Sequence, residues 1–227
     1  MNVKLVSYSQ PSEELMHQDL DDVQDLIAYC ARVSNPNNQY NTETSTKLLN
    51  FLAKHAHWSP FEMVSACLEI ETTRDIARQI LRHRSFSFQE WSQRYANPTK
   101  DLEFVIREAR LQDNKNRQNS IELDDTKMSE RVLKEMWNEK QANVIQASRE
   151  AYEWAIENGI AKEQARAVLP EGNTMSRMYM NGTIRSWIHY IQLRSGNGTQ
   201  KEHAEIAKAC AEVIAKIFPL SKEYVSE

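Results

Sequence analysis

Three arginines, Arg74, Arg78 and Arg82, recur at intervals of four residues. In a helix this spacing places the side chains on one face, where like charges repel by about 0.2–0.5 kcal/mol per pair. A solvated stripe relieved by nearby acidic residues is the plainest interpretation. However, His83 and Arg84 follow Arg82 directly, so three hydrogen-bond donors lie side by side. Because guanidinium groups make paired, planar hydrogen bonds to phosphate oxygens, the cluster predicts a phosphate-binding site.

The residues after this cluster combine polar groups with aromatic rings. If the chain is extended here, Glu90, Ser92 and Arg94 point to one side and Trp91 and Tyr95 to the other. An acceptor, a hydroxyl and a cation at this spacing suit a polar ring that carries a phosphate. An edge strand of mixed polarity is the alternative, and the pattern by itself leaves both open.

At this point the sequence resembles a known family. Arg82-His83-Arg84, seven residues and then Ser92 match the motif of the flavin-dependent thymidylate synthases. Further matching blocks follow one another along the chain: Cys30–Ser34, His57–Glu62, Ala77–Gln79, Gln93–Tyr95, Ala165–Pro170 and Arg185–Arg194. Because chance agreement of several separated blocks is rare, the chain is identified as a member of this family.

The resemblance implies an enzyme that converts dUMP to dTMP. Members of the family bind FAD, use NADPH as reductant and take a one-carbon unit from methylenetetrahydrofolate. They form homotetramers whose active sites are shared between subunits. The expected cofactor is therefore FAD, and the expected partners are dUMP, the folate, NADPH and further copies of this chain.

The resemblance also implies roles for individual residues. Arg194 matches the arginine that engages the uracil edge, and it is the expected catalytic residue. The dUMP-binding positions are Gln79, Arg82, Glu90, Ser92, Gln93, Arg94, Arg166 and Arg194. The FAD-binding positions are Ser34, His57, Ser59, Arg82, His83, Arg84, Glu90, Thr183, Arg185 and His189. The resemblance places His57 in a mobile loop over the flavin, where it would help admit folate or NADPH.

The expected chemistry depends on charge and not on a thiol. C5 of uracil is a weak nucleophile until electron density enters the ring, and a fixed guanidinium beside N3 stabilises the developing negative charge. Cysteine-dependent thymidylate synthases instead attack C6 with a thiolate. In this sequence Cys30, Cys67 and Cys210 have no neighbouring cationic cluster to lower their pKa, so all three are expected to be packing residues. Ser92 has no evident His–Asp relay and is expected to bind substrate.

One loop departs from the family pattern. Arg194 is followed by Ser195-Gly196-Asn197-Gly198, where many relatives have an acidic residue followed by His-Ala. The glycines make the loop more flexible, and the loop supplies no titratable group. Two alternatives therefore stay open beside methylation. They are a flavin-dependent hydroxymethylation of dUMP, and a catalytically inert nucleotide-binding homologue.

The histidines give weak support for a metal site. His55 and His57 have His-x-His spacing, but two ligands without a neighbouring third rarely bind a metal, so none is expected. His17 and His203 are expected at the surface or in helix packing.

Helices dominate the elements that must position these residues. Strands are predicted over Val3–Tyr8 and Phe61–Thr72, the latter from the alternation of apolar residues with Glu69 and Glu71. Helices are predicted over Asp21–Arg32, Thr42–Lys54, Arg74–Arg84, Met128–Glu157, Thr183–Arg194 and Thr199–Phe218. A polar stretch from Leu111 to Asp125 predicts a surface insertion near residues 111–127. The fold class is then α/β (α+β), a helix-rich single domain over residues 1–227 with a central mixed or antiparallel sheet flanked by helices.

Composition narrows the function classes. Of the 227 residues, 41% are hydrophobic and 26% charged, which is ordinary for a globular protein with one sizeable core. The net charge of −4 argues against a nucleic-acid-binding module. No apolar stretch approaches the roughly 20 residues of a membrane span, and the N-terminus lacks the apolar core of a secretory signal. We expect a cytoplasmic protein, of a bacterium or of an infected host cell, without nucleic-acid or membrane partners.

Overall fold

The structure is a computed structural model that describes residues 1–16, 18, 20 and 22–226. Its strands are β1 (Asn2–Tyr8), β2 (Ser65–Thr73), β3 (Ser87–Glu90), β4 (Arg110–Gln112), β5 (Ser120–Glu122) and β6 (Met175–Thr183). Its longer helices are α2 (Val23–Ala31), α3 (Ser45–Lys54), α4 (Arg74–Ile80), α6 (Met128–Glu157), α8 (Ile184–Ser195) and α9 (Lys201–Ile214). The four-residue helices are α1 (Glu13–Met16), α5 (Pro98–Asp101) and α7 (Lys162–Ala165). The predictions for His17 and for a helix start at Asp21 fall on residues outside the described ones.

Four strands form one antiparallel sheet in the order β1-β2-β6-β3. The two central strands, β2 and β6, pair Ser65 with Thr183 at one end and Thr73 with Met175 at the other. The inward-facing residues of β2 are Ala66, Leu68 and Ile70. They share one core with apolar residues of α2, α3, α4, α8 and α9. The predicted helix-rich α+β class with an antiparallel sheet is confirmed.

Strand β6 is central, yet the sequence patterns above do not predict it. Its inward-facing residues alternate along the strand as Ser176, Met178, Met180 and Gly182. Methionine, asparagine and glycine are not typical strand residues, and this composition hides the period of two. Pairing with β2 on one side and β3 on the other satisfies the strand's backbone groups in spite of that composition.

Several predicted boundaries shift because of local backbone chemistry. The strand expected from Phe61 begins at Ser65, since Pro60 starts a 3₁₀ turn over Ser59–Glu62. The helix expected to reach Arg84 ends at Ile80, after which backbone bonds of the tighter i to i+3 type turn the chain toward β3. Helix α9 likewise ends at Ile214, before the predicted Phe218. The bounds of α6 match the prediction, and Gly159 follows it with φ +77°.

Glu69 of β2 faces away from the apolar residues of the strand, as its alternation predicts. It lies on the outer face, but it is only 6% exposed because Lys4 of β1 and Arg177 of β6 cover it. Lys4 Nζ lies 2.7 Å from Glu69 Oε1. The ion pair holds the pKa of Glu69 below its usual value, through the Lys4 hydrogen bond first.

The predicted insertion contains a short hairpin, β4–β5, whose residues from Lys115 to Glu122 are exposed. Lys201 at the start of α9 forms an ion pair with Glu122 of β5 and another, at 3.0 Å, with Glu108 just before β4. None of the described helices combines the length and apolar character needed to cross a membrane.

Gly182 allows an aromatic ring to approach the sheet closely. The ring of Phe86, in the turn after α4, lies against the Gly182 Cα, and an added Cβ would overlap Cδ1 and Cε1 of that ring. Phe86 also packs edge-on against Trp187, with centroids 4.8 Å apart, and against Tyr190 at 6.0 Å. These contacts hold the turn that carries Arg82–Arg84 onto the core.

Replacement of Gly182 by alanine is expected to destabilise the protein by about 1–3 kcal/mol, because the partly buried Phe86 ring, which packs against the core, must move. Gly172→Ala is the matched control, since its added Cβ would meet only Asp75 Oδ2 at 4.0 Å. Urea denaturation of the two variants measures the difference. Equal midpoints for both variants would contradict the packing argument.

Candidate active site

Two strand-helix connections bring the predicted site residues together. Helix α4 begins directly after β2, and helix α8 begins directly after β6. Because β2 and β6 are antiparallel, the two helices start at opposite ends of the sheet and their C-terminal ends approach each other. His83, just beyond α4, meets Arg194 near the end of α8. The fold thus joins segments 111 residues apart in the sequence.

His83 and Arg194 form the central contact of this region. Arg194 Nε donates a hydrogen bond to His83 Nε2 over 2.9 Å, so that ring nitrogen carries no proton and Nδ1 does. Burial, followed by the charges of Arg194, His189 and Arg82, lowers the pKa of His83 to about 4. The neutral imidazole also packs edge-on against Tyr190, with centroids 4.9 Å apart. Arg194 is therefore held at Nε, and its terminal nitrogens have no hydrogen-bond partner among the described residues.

Arg82 and Arg84 lie on either side of His83 and are both exposed. Neither side chain has a hydrogen bond or ion pair with any residue in the described part of the chain. Two unpaired guanidinium groups on one turn form an electropositive edge, which suits phosphate oxygens.

Gln79 lies inside a polar network and not on an open surface. Its Nε2 donates to Gln200 Oε1 over 2.8 Å, and its Oε1 lies 3.2 Å from His203 Nδ1. His203, expected at the surface or in helix packing, is fully buried on α9. Of the two predicted positions, helix packing is the one found, and no sequence motif assigns this histidine to the site.

Glu90, at the end of β3, is surrounded by cations. Ser176 Oγ donates to its Oε1 over 3.0 Å, while Nη1 of Arg74 and of Arg78 lie 3.6 and 3.8 Å from its oxygens. Arg74 is buried at 5% exposure, and Glu171 lies within 3.8 Å of both arginines. Glu90 and Glu171 therefore partly neutralise Arg74 and Arg78, whereas Arg82 has no ion pair among the described residues.

The chain does not stay extended past Trp91, so the condition for placing Glu90, Ser92 and Arg94 on one side is not met. It turns at Ser92, whose carbonyl accepts from the Tyr95 and Ala96 N–H groups and whose hydroxyl accepts from the Arg94 N–H. The turn follows the last ladder bond, from the Trp91 N–H to the Arg177 carbonyl.

The turn after Trp91 places the remaining predicted dUMP residues. Gln93 is only 4% exposed, and its amide nitrogen has no hydrogen-bond partner among the described residues. Arg94 Nη2 lies 3.4 Å from Glu163 Oε2, and Arg166 Nε donates to the Glu163 carbonyl. Glu163 thus lies beside both Arg94 and Arg166, which are far apart in the sequence.

A cleft of about 370 Å³ lies beside α8, near the turn that carries Arg84. Its lining residues are Trp58, Glu62, Ser85, Arg185, Ser186, Ile188, His189 and Gln192. Arg185 Nη1 lies 2.6 Å from Glu62 Oε1, which closes one side of the cleft with an ion pair. Two of the predicted flavin residues, Arg185 and His189, therefore line the same concave surface.

The other predicted flavin residues have different surroundings. Thr183 caps helix α8: its hydroxyl accepts from the Ser186 N–H over 3.2 Å. Ser59 follows Trp58 at the mouth of the cleft and is exposed. His57 lies in the exposed loop after α3, and its ring centroid is 6.5 Å from that of Phe51. Ser34 lies in an exposed turn after α2 and is not among the cleft-lining residues.

Comparison with known proteins decides the family. The family model described as thymidylate synthase complementing protein (Thy1) matches residues 14–220. Flavin-dependent thymidylate synthase of Synechocystis sp. is 51% identical over 219 residues, which cover 96% of each chain. A Paramecium bursaria Chlorella virus 1 protein, named "Probable flavin-dependent thymidylate synthase", is 48% identical over 219 residues, with the same coverage. The chain belongs to the flavin-dependent thymidylate synthase family. The predicted enzyme class, a methyltransferase of this family, is confirmed.

Solved structures share the fold of this flavin-dependent thymidylate synthase family member. The UMP/dUMP methylase PolB from Streptomyces cacaoi, with 5-Br dUMP bound, superposes with a TM-score of 0.78 at 23% identity. The match covers 98% of this chain and 93% of that chain.

The three cysteines of this family member carry free thiols. Burial raises the pKa of Cys30, Cys67 and Cys210. Each thiol is therefore kept in its protonated, unreactive form near neutral pH. Within the described residues no group of three His, Cys, Asp or Glu side chains could hold a metal ion.

Proposed function

We propose that the protein methylates dUMP to dTMP in an FAD-dependent reaction, with methylenetetrahydrofolate as one-carbon donor and NADPH as reductant. The C5–H of the uracil ring leaves as a proton, a C5–carbon bond forms, and the bond between that carbon and the folate breaks. NADPH supplies the two electrons that complete the methyl group and becomes NADP⁺. The folate therefore leaves as tetrahydrofolate.

The observation that carries this proposal is the fixed position of Arg194. Its Nε donates a hydrogen bond to His83, which holds the guanidinium plane in place. The two terminal nitrogens therefore stay available as a planar pair of donors. Such a pair suits the N3 and carbonyl edge of a uracil ring. Charge that develops on the ring during attack at C5 would be stabilised without reorganisation of the side chain.

The cationic residues around Arg194 fit the phosphate of dUMP. Among the described residues Arg82 has no ion pair, and Arg94 and Arg166 both contact Glu163. Gln93 adds a buried amide nitrogen that lacks a partner among the described residues. The phosphate supplies binding energy remote from C5, which holds the ring beside Arg194.

The donor set also fits FAD. Arg84 has no ion pair in the described part of the chain and lies next to Ser85 of the cleft, so Arg82 and Arg84 could hold a diphosphate. Trp58 and His189 provide flat surfaces along the same cleft. When bound, the flavin would supply hydride chemistry. The protein's part is to hold the cofactor against the nucleotide site and to exclude water from the reacting atoms. The name of the 51% identical relative supports the flavin requirement.

Tritium release from C5-labelled dUMP tests the proposal. Release should require FAD, NADPH and methylenetetrahydrofolate together, and mass spectrometry should show a methyl product. A hydroxymethyl product would show instead that the protein hydroxymethylates dUMP, which is the alternative left open by the Gly196-Asn197-Gly198 loop. A purified protein with neither flavin absorption nor dUMP binding would instead be an inert homologue.

A homotetramer with shared active sites is part of the proposal, with residues 1–227 of each copy as one catalytic domain. Helix α6 supports it, because this 30-residue helix exposes large apolar side chains along most of its length. They are Met128, Val132, Leu133, Met136, Trp137, Val144 and Trp154. Exposed apolar residues in such number are typical of a surface that another subunit covers. Light scattering measures the assembly mass directly.

A further inference from the structure

A continuous chain of hydrogen bonds runs from α9 through Gln79 to the interior of α8. Gln200 Nε2 donates to Glu202 Oε2 over 3.0 Å, and Gln79 Nε2 donates to Gln200 Oε1 over 2.8 Å. Gln79 Oε1 lies 3.2 Å from His203 Nδ1, and His203 Nε2 lies 3.2 Å from the Tyr190 hydroxyl. Four of these five residues are outside the predicted ligand-binding set, and only Gln79 belongs to it.

Glu202, the first acceptor in this series of hydrogen bonds, is held in its ionised form. Glu202 lies 2.9 Å from Arg107 Nη2 and 2.6 Å from Arg110 Nη2, and all three side chains are largely buried. Burial alone would raise the pKa of Glu202, but a backbone N–H together with Arg107 and Arg110 holds that pKa below its ordinary value. Glu202 is therefore a carboxylate at neutral pH.

An ionised carboxylate only accepts hydrogen bonds, so Glu202 sets the direction of the chain. Gln200 must turn its amide nitrogen toward Glu202 and its oxygen toward Gln79. Gln79 then donates to Gln200 and turns its own oxygen toward His203. Nδ1 of His203 must carry the proton, and its Nε2 accepts from the Tyr190 hydroxyl.

The buried ring of His203 keeps this single tautomer. Burial, followed by the nearby charge of Arg194, lowers the pKa of His203 to about 3, so the ring is neutral under working conditions. Its edge contacts His83, with centroids 6.3 Å apart, and His83 in turn accepts from Arg194. The network therefore lies directly beneath the contact that holds Arg194.

The network uses only part of the hydrogen-bonding capacity of the Gln79 side-chain amide. Its nitrogen has two N–H groups and its oxygen two lone pairs, of which the network uses one each. We propose that His203 is a positioning residue, which fixes the Gln79 carboxamide so that its free N–H faces the nucleotide. This inference rests on the proposed function, and it gives the unusual loop after Arg194 a role, since that loop delivers Gln200 to Gln79.

Steady-state kinetics of His203 variants test the proposal. His203→Leu removes the donor to Gln79, and the KM for dUMP should rise about tenfold while kcat changes less than threefold and flavin absorption is kept. His203→Asn, whose side-chain amide can replace the Nδ1–H donor, should recover most of that loss. His55→Leu is the matched control, since His55 is exposed and far along the chain from the network, and its KM should match the wild type.

A double-mutant cycle separates positioning from general stability. In a Gln79→Ala background, His203→Leu should leave the KM for dUMP unchanged, because no amide remains to be oriented. Gln200→Met changes a residue of the partly exposed loop, and like His203→Leu it should raise the KM for dUMP in the wild-type background and leave it unchanged in the Gln79→Ala background. It serves as the second variant if His203→Leu does not fold. An unchanged KM in the single variants, or the same tenfold effect in the Gln79→Ala background, would overturn the proposal.

Failure of this inference can be told apart from failure of the proposed function. Wild-type protein that binds dUMP without releasing tritium would refute the reaction, and calorimetric titration of dUMP into the same variants would then still measure positioning. Wild type that releases tritium, combined with additive effects in the cycle, would refute only the role of His203.

Discussion

Arg194→Ala is expected to lower kcat about 10²- to 10³-fold while the purified protein keeps its flavin absorption. The reason is that Arg194 offers its terminal nitrogens at the end of α8, whereas Arg82 and Arg84, which have no ion pair among the described residues, belong to the turn after α4. Loss of one preorganised donor group at the site of developing charge typically has an effect of this size. Single-turnover tritium release measures the step directly, because it does not depend on product dissociation.

Two further variants make this result specific. Arg194→Lys keeps the charge but loses the planar pair of donors and the bond from Nε to His83, so it should recover only a minor part of the rate. Arg117→Ala removes an equal charge from the exposed β4–β5 hairpin and should leave the rate at the wild-type value. Near-normal turnover of Arg194→Ala would contradict the assignment of the catalytic residue.

Much of the fold could be predicted from the sequence because its strongest signals are local. Both bounds of helix α6 are predicted correctly, because its helical periodicity continues over 30 residues and Gly159 follows its C-terminal end. Strand β6 was not predicted, because its stability comes from pairing with β2 and β3, which are distant in sequence. Glu69 is another case: its own strand pattern places it outside, and only the neighbouring strands bring the Lys4 and Arg177 that cover it.

The candidate site, too, combines residues that local sequence motifs predict with contacts that only the fold creates. The motif from Arg82 to Ser92 and its resemblance to a family led to the residues, but not to what each side chain contacts. That Thr183 caps a helix and that Glu90 is bonded to Ser176 depend on three-dimensional neighbours. His203 carries no motif, and its link to Gln79 spans 124 residues, so no sequence window contains both.

Arg82→Ala is expected to weaken binding of both dUMP and FAD, each by about tenfold or more. Arg82 lies three residues after Gln79 on one side and directly before His83 and Arg84 on the other, so it stands between the two proposed ligands. It is exposed and has no internal ion pair among the described residues, which means that its removal should cost ligand contacts and little folding energy. Flavin content after dialysis and the KM for dUMP at saturating FAD measure the two effects separately.

Arg84→Ala is the decisive companion to Arg82→Ala, because the two side chains have the same charge, exposure and lack of partners. Arg84 is assigned to FAD alone and borders Ser85 of the cleft, so its loss should reduce flavin content and leave the KM for dUMP within about twofold once FAD is restored. If the two variants behaved identically, the turn would act only as a general cationic surface. A difference confined to dUMP would place Arg82 at the junction of both ligands, with the neutral His83 beside it holding Arg194 over the pyrimidine.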